Sequence, residues 1–504
     1  MKDQYLLGFD IGTYEAKGVL CRPSGEVVAT AASNYRLRIP QIGYAEHSPM
    51  DDWWESFRSI VNELLQKTGT EPKSIVGIGC SAVAVGATPV DKKCNPLRNA
   101  ILYGVDIRSQ KQAHELNQAI GKDTLQKVCG AECSVESYGP KLLWIRENEP
   151  EIYQKTKKFT FSPGFITARL TGRYAIDVYS LYAAGQPLFN KNTLDWDDSL
   201  CGYVTSKDRL PEVMKATDLI GTVTKEAAEE TGLCEGTPVI CGTTDAAAEA
   251  FSVGVMEPGD TMVMYGSTIF VNHLTDHVPP GNPLWQSQFV FGDSMCVLAG
   301  MSSAGSLTRW VRDTMAKDLV GQEAAGVNSY DALFAEAGRA KPGANGLVVL
   351  PYFSGERLPI KDPEAKGMIF GLTLSHTRSD IMRASLEGIG YGLCQILDIM
   401  RSMGYQLDRV RAVGGGTKSK EWMQIMSDVC GITQEIPKVS IGASFGDALL
   451  AGIGTGVVTS PLEIKSRMQM SYCTEPNPEY AGLYGQRKQT FADLYRLTKE
   501  LMHK

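Results

Sequence analysis

Four short segments of this chain combine residue types suited to holding a phosphate group. The first is Gly8–Thr13, GFDIGT. Asp10 ends an apolar run, where an ionised carboxylate needs a partner. A hydrated magnesium ion serves, because magnesium takes one or two carboxylates together with waters and phosphate oxygens. Gly12 lets the backbone come close to a phosphate, and the Thr13 hydroxyl and the turn amides can donate to its oxygens. Lys17 adds positive charge. An ordinary hairpin with a turn glycine has the same pattern. The second segment, Gly266-Ser267-Thr268, repeats this logic. Two such hairpins facing each other would clamp a triphosphate in a cleft between domains; the first alone reads equally well as a plain turn, and the second alone reads more readily as one.

The third segment is Gly414-Gly415-Gly416 with Thr417, Lys418 and Ser419 behind it. Three glycines after a strand admit a flat ligand or a phosphate. They lack the G-x-x-x-x-G-K-[ST] spacing of a Walker A loop, and a tight strand-to-helix turn stays open. The fourth is Gly242-Thr243-Thr244-Asp245, followed by an alanine-rich helix beginning at Ala246. A carboxylate in a first helical turn is kept ionised by the helix dipole. There it can accept the proton of a hydroxyl attacking a phosphoryl group. A first-turn Asp without chemistry has the same local sequence. Six dispersed histidines give no support to His-based catalysis.

The elements that must position these residues alternate between strand and helix. Tyr5 to Asp10, Gly18 to Leu20 and Glu26 to Ala32 read as strands joined by turns. Trp53, Trp54, Phe57, Ile60, Val61, Leu64 and Leu65 recur at helical spacing after Asp51 and Asp52. The Trp pair is either a sugar platform or the core face of that helix. Ile75–Gly79 is a further strand. Asp260–Tyr265, the Gly266–Thr268 turn and Ile269–His273 echo the opening. Later come helices over 380–400, 421–430 and 443–453, and a strand over 410–413. Strands alternating with helices predict an α/β protein. With 504 residues, the chain exceeds one ordinary core, so two domains are expected, 1–253 and 254–504.

The formal net charge of -7 argues against a nucleic-acid partner, which wants a basic stripe. No apolar run approaches the roughly 18 residues of a spanning helix, and the start, MKDQYLLGFDIG, has no signal-peptide core. A cytoplasmic chain that engages no membrane is the expectation, with its twelve cysteines reduced. A homodimer stays open.

The chain resembles the FGGY carbohydrate kinases, and within them the xylulokinase-like branch. Gly367–Glu387 (GMIFGLTLSHTRSDIMRASLE) matches the family's C-terminal signature, and Lys141-Leu142-Leu143-Trp144 with Glu147 and Asn148 is similar to the N-terminal one, where Tyr138 replaces a small residue. Ser354-Gly355-Glu356-Arg357 with Asp362-Pro363 is also typical of it. The resemblance implies an α/β fold of two actin-like, ribonuclease-H-like domains with ATP and sugar in the interdomain cleft. It implies ATP-dependent phosphorylation of a small ketose, a pentulose such as xylulose or a relative, or of a polyol. By the same resemblance Asp10, with Asp245, would organise Mg2+, and Asp245 would be the general base. Gly12, Thr13 and Lys17 would form the first phosphate loop and Gly266, Ser267 and Thr268 the second. Gly414, Gly415, Gly416 and Lys418 would border the nucleotide. Asp106 and Arg108 match the family's D-x-R near the sugar. On that side the chain departs from its relatives. Val83-Ala84-Val85 stands where xylulokinases carry Gln-Met-His, Ala246 where they carry Asn or Gln, and Gly104, beside Tyr103, where Trp is usual. The alternative is a catalytically idle actin-like ATP-binding sensor or scaffold.

Overall fold

The computed structural model describes residues 3–83, 85–407, 409–439 and 441–504. Two compact units divide the chain. The first comprises Met1–Met256, Ser287–Asp293 and Ile441–Arg467, and the second Glu257–Gln286, Ser294–Ser440 and Met468–Lys504. The first unit gives way to the second after Met256, near the expected 253/254, and the segments Ser287–Asp293 and Ile441–Arg467 return to the first unit. The apolar helix Ala443–Gly454 is the main departure, because its buried face packs in the first unit.

In the first unit, β1 (Tyr5–Ile11) and β2 (Glu15–Cys21) form an antiparallel hairpin, with Asp10 opposite Lys17, and β3 (Val27–Asn34) extends it. Every β1 residue from Leu6 to Ile11 is buried, as the near-continuous apolar run requires. Helix α1 (Glu55–Thr68) buries Phe57, Ile60, Val61 and Leu64, while Trp53 and Trp54 precede it in a π-helical turn capped by Ser48. Both Trp rings sit in the apolar core, so the pair is a core face. β4 (Ile75–Ala82) pairs parallel to β1 and sets Asp10 beside Ser81. On the far side of β4 lie β5 (Pro238–Ile240) and β6 (Thr243–Thr244), and helix α2 (Asp245–Ser252) begins directly after β6.

The return helix, Ala443–Gly454, packs against β1, β4 and α2 at backbone distance. A Cβ on Gly446 would lie 1.9 Å from Ala248 O, and one on Gly79 would lie 2.2 Å from Asp447 O. Gly446→Ala must therefore push two helices apart. The expected cost is about 1–3 kcal/mol, read as a lower thermal unfolding midpoint.

The second unit repeats the motif. β7 (Thr261–Tyr265) and β8 (Ile269–Thr275) form an antiparallel hairpin, β9 (Met295–Met301) extends it, and β10 (Arg409–Val413) pairs parallel to β7. In each unit, then, a hairpin and a third antiparallel strand meet a parallel fourth strand beside the hairpin's first. Helix α3 (Arg378–Ser402), started by a Thr377–Asp380 capping box, is buried all round over residues 382–394, and α4 (Lys420–Cys430) follows the glycine run. Among the described residues no helix is long and apolar enough to cross a membrane.

Candidate active site

The turn after β1 is held from outside. Gly12 N donates to Glu15 O at 2.9 Å, and Gly12 O accepts from the Tyr35 hydroxyl at 2.6 Å. His47 Nδ1 accepts from Trp53 Nε1 at 3.1 Å, so Nε2 carries the proton and donates to Thr13 O at 3.0 Å. Burial holds that imidazole below its ordinary pKa, consistent with the neutral tautomer. The carbonyls of this turn are thus engaged from outside. Lys17 lies 3.1 Å from Glu15 and is nearly half exposed.

Asp10 is buried, and burial pushes its carboxyl up to about 6, opposed by the Ser81 hydroxyl and by Lys17. Asp245 is the first residue of α2 and half-buried. Its own Oδ1 accepts from Ala246 N at 2.7 Å. The Thr243 hydroxyl just before it is anchored on buried Asp177 at 2.8 Å, which fixes the strand end that aims Asp245. Burial, and then the charge of Asp10, push Asp245 up to about 8. Glu249, one turn further along α2, is pushed up to about 7 by burial and by Asp10. The expected dipole effect on Asp245 is therefore outweighed by desolvation and neighbouring charge, which favour the protonated form.

Three participants escaped the sequence reading: Ser81, Glu249 and Asp447. Asp447 lies in the return helix with its Oδ2 accepting from Ser81 Oγ at 2.7 Å. A signal existed, since a lone carboxylate in a run of Ala, Leu, Gly and Ile is costly unless partnered. Gly442-Ala443-Ser444-Phe445-Gly446 has the G-x-S-x-G spacing of a nucleophile elbow. Its Ser444, however, is fully buried in the first turn of the return helix, not displayed on an exposed turn.

The expected sugar-side residues divide. Tyr103 bonds the Thr13 side chain and lies within the fields of Asp245 and Glu136. A Cβ on Gly104 would stand 2.8 Å from Glu136 Cγ and Oε1, so Glu136 fills the space beside Tyr103. Lys141 of the N-terminal signature is fully buried and pulled down to about 7 by burial. It donates to Val135 O at 2.6 Å and Ser137 O at 3.1 Å, pinning the loop that carries Glu136. Val83 is buried just beyond β4, and Ala246 is half-buried beside Asp245. Val85 is fully buried in an apolar cluster with Ile101, Tyr138 and Leu142, so it offers no surface to a ligand. Ala84 lies outside the described residues.

Asp106 and Arg108 are likewise consumed internally. The guanidinium grips Asp106 at 2.6–3.0 Å, lies 2.8 Å from Glu46 and sits 3.9 Å over the Tyr44 ring. Asp106 Oδ2 also accepts from Ala45 N at 2.7 Å. No arm of this buried cluster is left to reach a sugar, so the D-x-R pair is a clamp on the fold. Arg108→Ala should lower stability by about 3–5 kcal/mol, because it strands buried carboxylates. In chemical denaturation the variant should unfold earlier, while the KM for sugar in the surviving folded protein stays near that of the wild type.

In the second unit, Gly266 N donates to Thr268 O at 3.0 Å, and the helix beginning at Gly305 donates back to Gly266 O and Ser267 O. Ser267 itself is exposed. Gly414 has φ +91°, and a Cβ there would lie 2.7 Å from Tyr265 O, so only glycine fits. Gly416 packs against Tyr265 and Trp422, whereas Gly415 faces open space and Lys418 is exposed. The glycine run and the Gly266–Thr268 turn are thus neighbours around Tyr265, each presenting exposed backbone.

Comparison with known proteins accords with this geometry. The N-terminal domain model of the FGGY family of carbohydrate kinases matches residues 5–252, and its C-terminal domain model matches residues 262–455. A xylulose kinase of Staphylococcus epidermidis is 28% identical, with 99% of this chain and 98% of that protein covered. A gluconokinase of Bacillus subtilis is also 28% identical, with 98% and 96% covered. The crystal structure of xylulose kinase from Rhodospirillum rubrum superposes with a TM-score of 0.90 at 26% identity, covering 99% of this chain and all of that one. The expected α/β architecture of two ribonuclease-H-like domains accords with that likeness.

Proposed function

Because this chain belongs to the FGGY family of carbohydrate kinases, we propose that it transfers the terminal phosphoryl group of ATP to a hydroxyl of a small neutral ketose or polyol, with Asp245 as general base. The observation that carries this reading is the grouping of Asp245, half-buried at a helix start, with Asp10 at the end of β1. Asp245 takes the proton of the sugar hydroxyl as its oxygen attacks the phosphorus. The Thr13 amide, beyond the Gly12 amide that Glu15 O already holds, is with Lys17 a donor for phosphate oxygens. In the second unit the Gly266–Thr268 turn plays the same part, and exposed Gly415 and Lys418 border the nucleoside.

The donor set suits magnesium. The charge of Asp10 raises the proton affinity of both Asp245 and Asp447, a repulsion that a cation among them would relieve. Among the described residues there is no ready cage of three or more protein ligands. Magnesium characteristically binds one or two carboxylates and completes its shell with waters and phosphate. Asp10, with Asp245, would hold it, and its charge would offset that building on the phosphate oxygens.

The relatives include both xylulose kinases and gluconokinases, and the charge here favours the neutral sugar. Glu136 is a carboxylate close to Tyr103, which also bonds Thr13. A substrate carboxylate meets like charge there. Gluconate should give a kcat/KM at least about tenfold below the best ketose or polyol, equivalent to ~1.4 kcal/mol, and Glu136→Gln should narrow the gap. A coupled ADP-release screen over ketopentoses, ketohexoses, polyols and gluconate, with magnesium and ATP, tests the whole reading. Release stimulated by none of them would leave the catalytically idle ATP-binding sensor or scaffold in its place.

A further inference from the structure

β1 and β4 set Asp10 beside Ser81, and the return helix brings Asp447 against the same strands. Only a glycine at position 79 permits this approach. Asp447 is 1% exposed. Its Oδ2 accepts from Ser81 Oγ at 2.7 Å, and the same hydroxyl lies 3.2 Å from Asp10 Oδ1. Asp447 Oδ1, also buried, has no hydrogen-bond partner.

A hydroxyl has one proton and two lone pairs. If Ser81 gives its proton to Asp447, Asp10 Oδ1 faces a lone pair. If Asp447 instead donates to Ser81, the hydroxyl turns its own proton to Asp10, and every contact in the chain is satisfied. Only this second arrangement leaves no lone pair facing a lone pair along the Asp447–Ser81–Asp10 contacts.

We propose that Asp447 is a positioning residue for phosphoryl transfer: donating through the Ser81 hydroxyl, it fixes the Asp10 carboxylate from behind. The proposal rests on the reading of Asp10 as the residue that organises the cation. Outer partners of metal-binding carboxylates do such work elsewhere, and their loss costs roughly 10–100-fold in metal affinity or activity.

Manganese(II) titration of the whole protein with a saturating non-hydrolysable ATP analogue, followed by the free-ion electron paramagnetic resonance signal, tests it directly. Asp447→Ala and Ser81→Ala should each weaken manganese binding by at least about tenfold, and the double variant should lose little more, because the residues act in one chain. Asp447→Asn, which keeps a donor toward Ser81, should stay within about threefold of the wild type, the margin of a retained hydrogen bond. A merely structural Asp447 would change unfolding temperature and leave manganese affinity alone, which overturns the proposal. So does an Asn variant as impaired as the Ala variant, since Asp447 would then act as an anion. If Asp447→Ala does not fold, Ser81→Ala and Asp447→Asn make the same distinction. A wild type with no saturable manganese site defeats the reading of Asp10 itself, a different result from a wild-type site that the variants leave unchanged.

Discussion

Asp245→Asn should leave ATP affinity nearly unchanged and cut sugar-dependent turnover by about 10²–10⁴-fold, the contribution of a positioned general base. The amide keeps the shape of the side chain and cannot take the proton. In the ligand-free protein the carboxyl of Asp245 is held up to about 8 by burial and by Asp10, so near neutrality it is largely protonated. Turnover should therefore rise with pH, with the rising limb lost in the variant.

The same shift has a signed consequence for stability. The folded-state pKa of Asp245 lies above the ordinary value of 3.8, so the fold favours the neutral form. That contribution is complete below the unfolded pKa and is lost as pH climbs toward about 8. Asn resembles the neutral acid. The variant should match the wild type in unfolding temperature near pH 4 and exceed it near pH 8. Unchanged turnover would remove Asp245 as the base, whereas lost turnover with lower stability at pH 8 would point to misfolding.

The strands and helices that carry the site were legible because their apolar periodicity is strong. β1, α1, α3 and α4 begin and end within a few residues of their expected limits. The return helix was legible as a helix but not as part of the first unit, since nothing local states which sheet an apolar helix will cover. The glycines that admit it are visible only once Ala248 and Asp447 are seen opposite them. Asp106 and Arg108 failed as ligand residues for a related reason. A D-x-R dipeptide shows charge and spacing, while its partners Glu46, Ala45 and Tyr44 lie some 60 positions away. Ser81 and Asp447 are 366 positions apart, a pairing no single-sequence pattern encodes. Asp10, by contrast, was legible because a carboxylate closing a buried strand demands a partner wherever that partner comes from.

Asp10→Asn carries the other large expectation: magnesium-dependent turnover should fall by at least about 10²-fold, on the scale of losing one preorganised electrostatic contact in the transition state. The structure makes the loss specific. Asp10 sits opposite Lys17 on one side and Ser81 on the other, so the register of three strands fixes its place. An amide fits that place and can still meet the Ser81 hydroxyl, so the fold should survive. Stability should even improve at higher pH, because the Asp10 carboxyl is raised to about 6 and its ionisation disfavours the folded state as pH rises from about 4 through that value. The discriminating measurement is the magnesium concentration for half-maximal rate. It should rise steeply in Asp10→Asn, while in Asp245→Asn the principal loss should lie in the maximal rate. Removing Asp10 should also lower the apparent pKa of Asp245, since the charge of Asp10 is the second largest cause of that shift. In the residual activity of Asp10→Asn, the rising limb of the pH profile should therefore move to lower pH. A limb that stays in place would mean that the two carboxylates do not sense each other, and a wild-type magnesium requirement would separate Asp10 from the cation altogether.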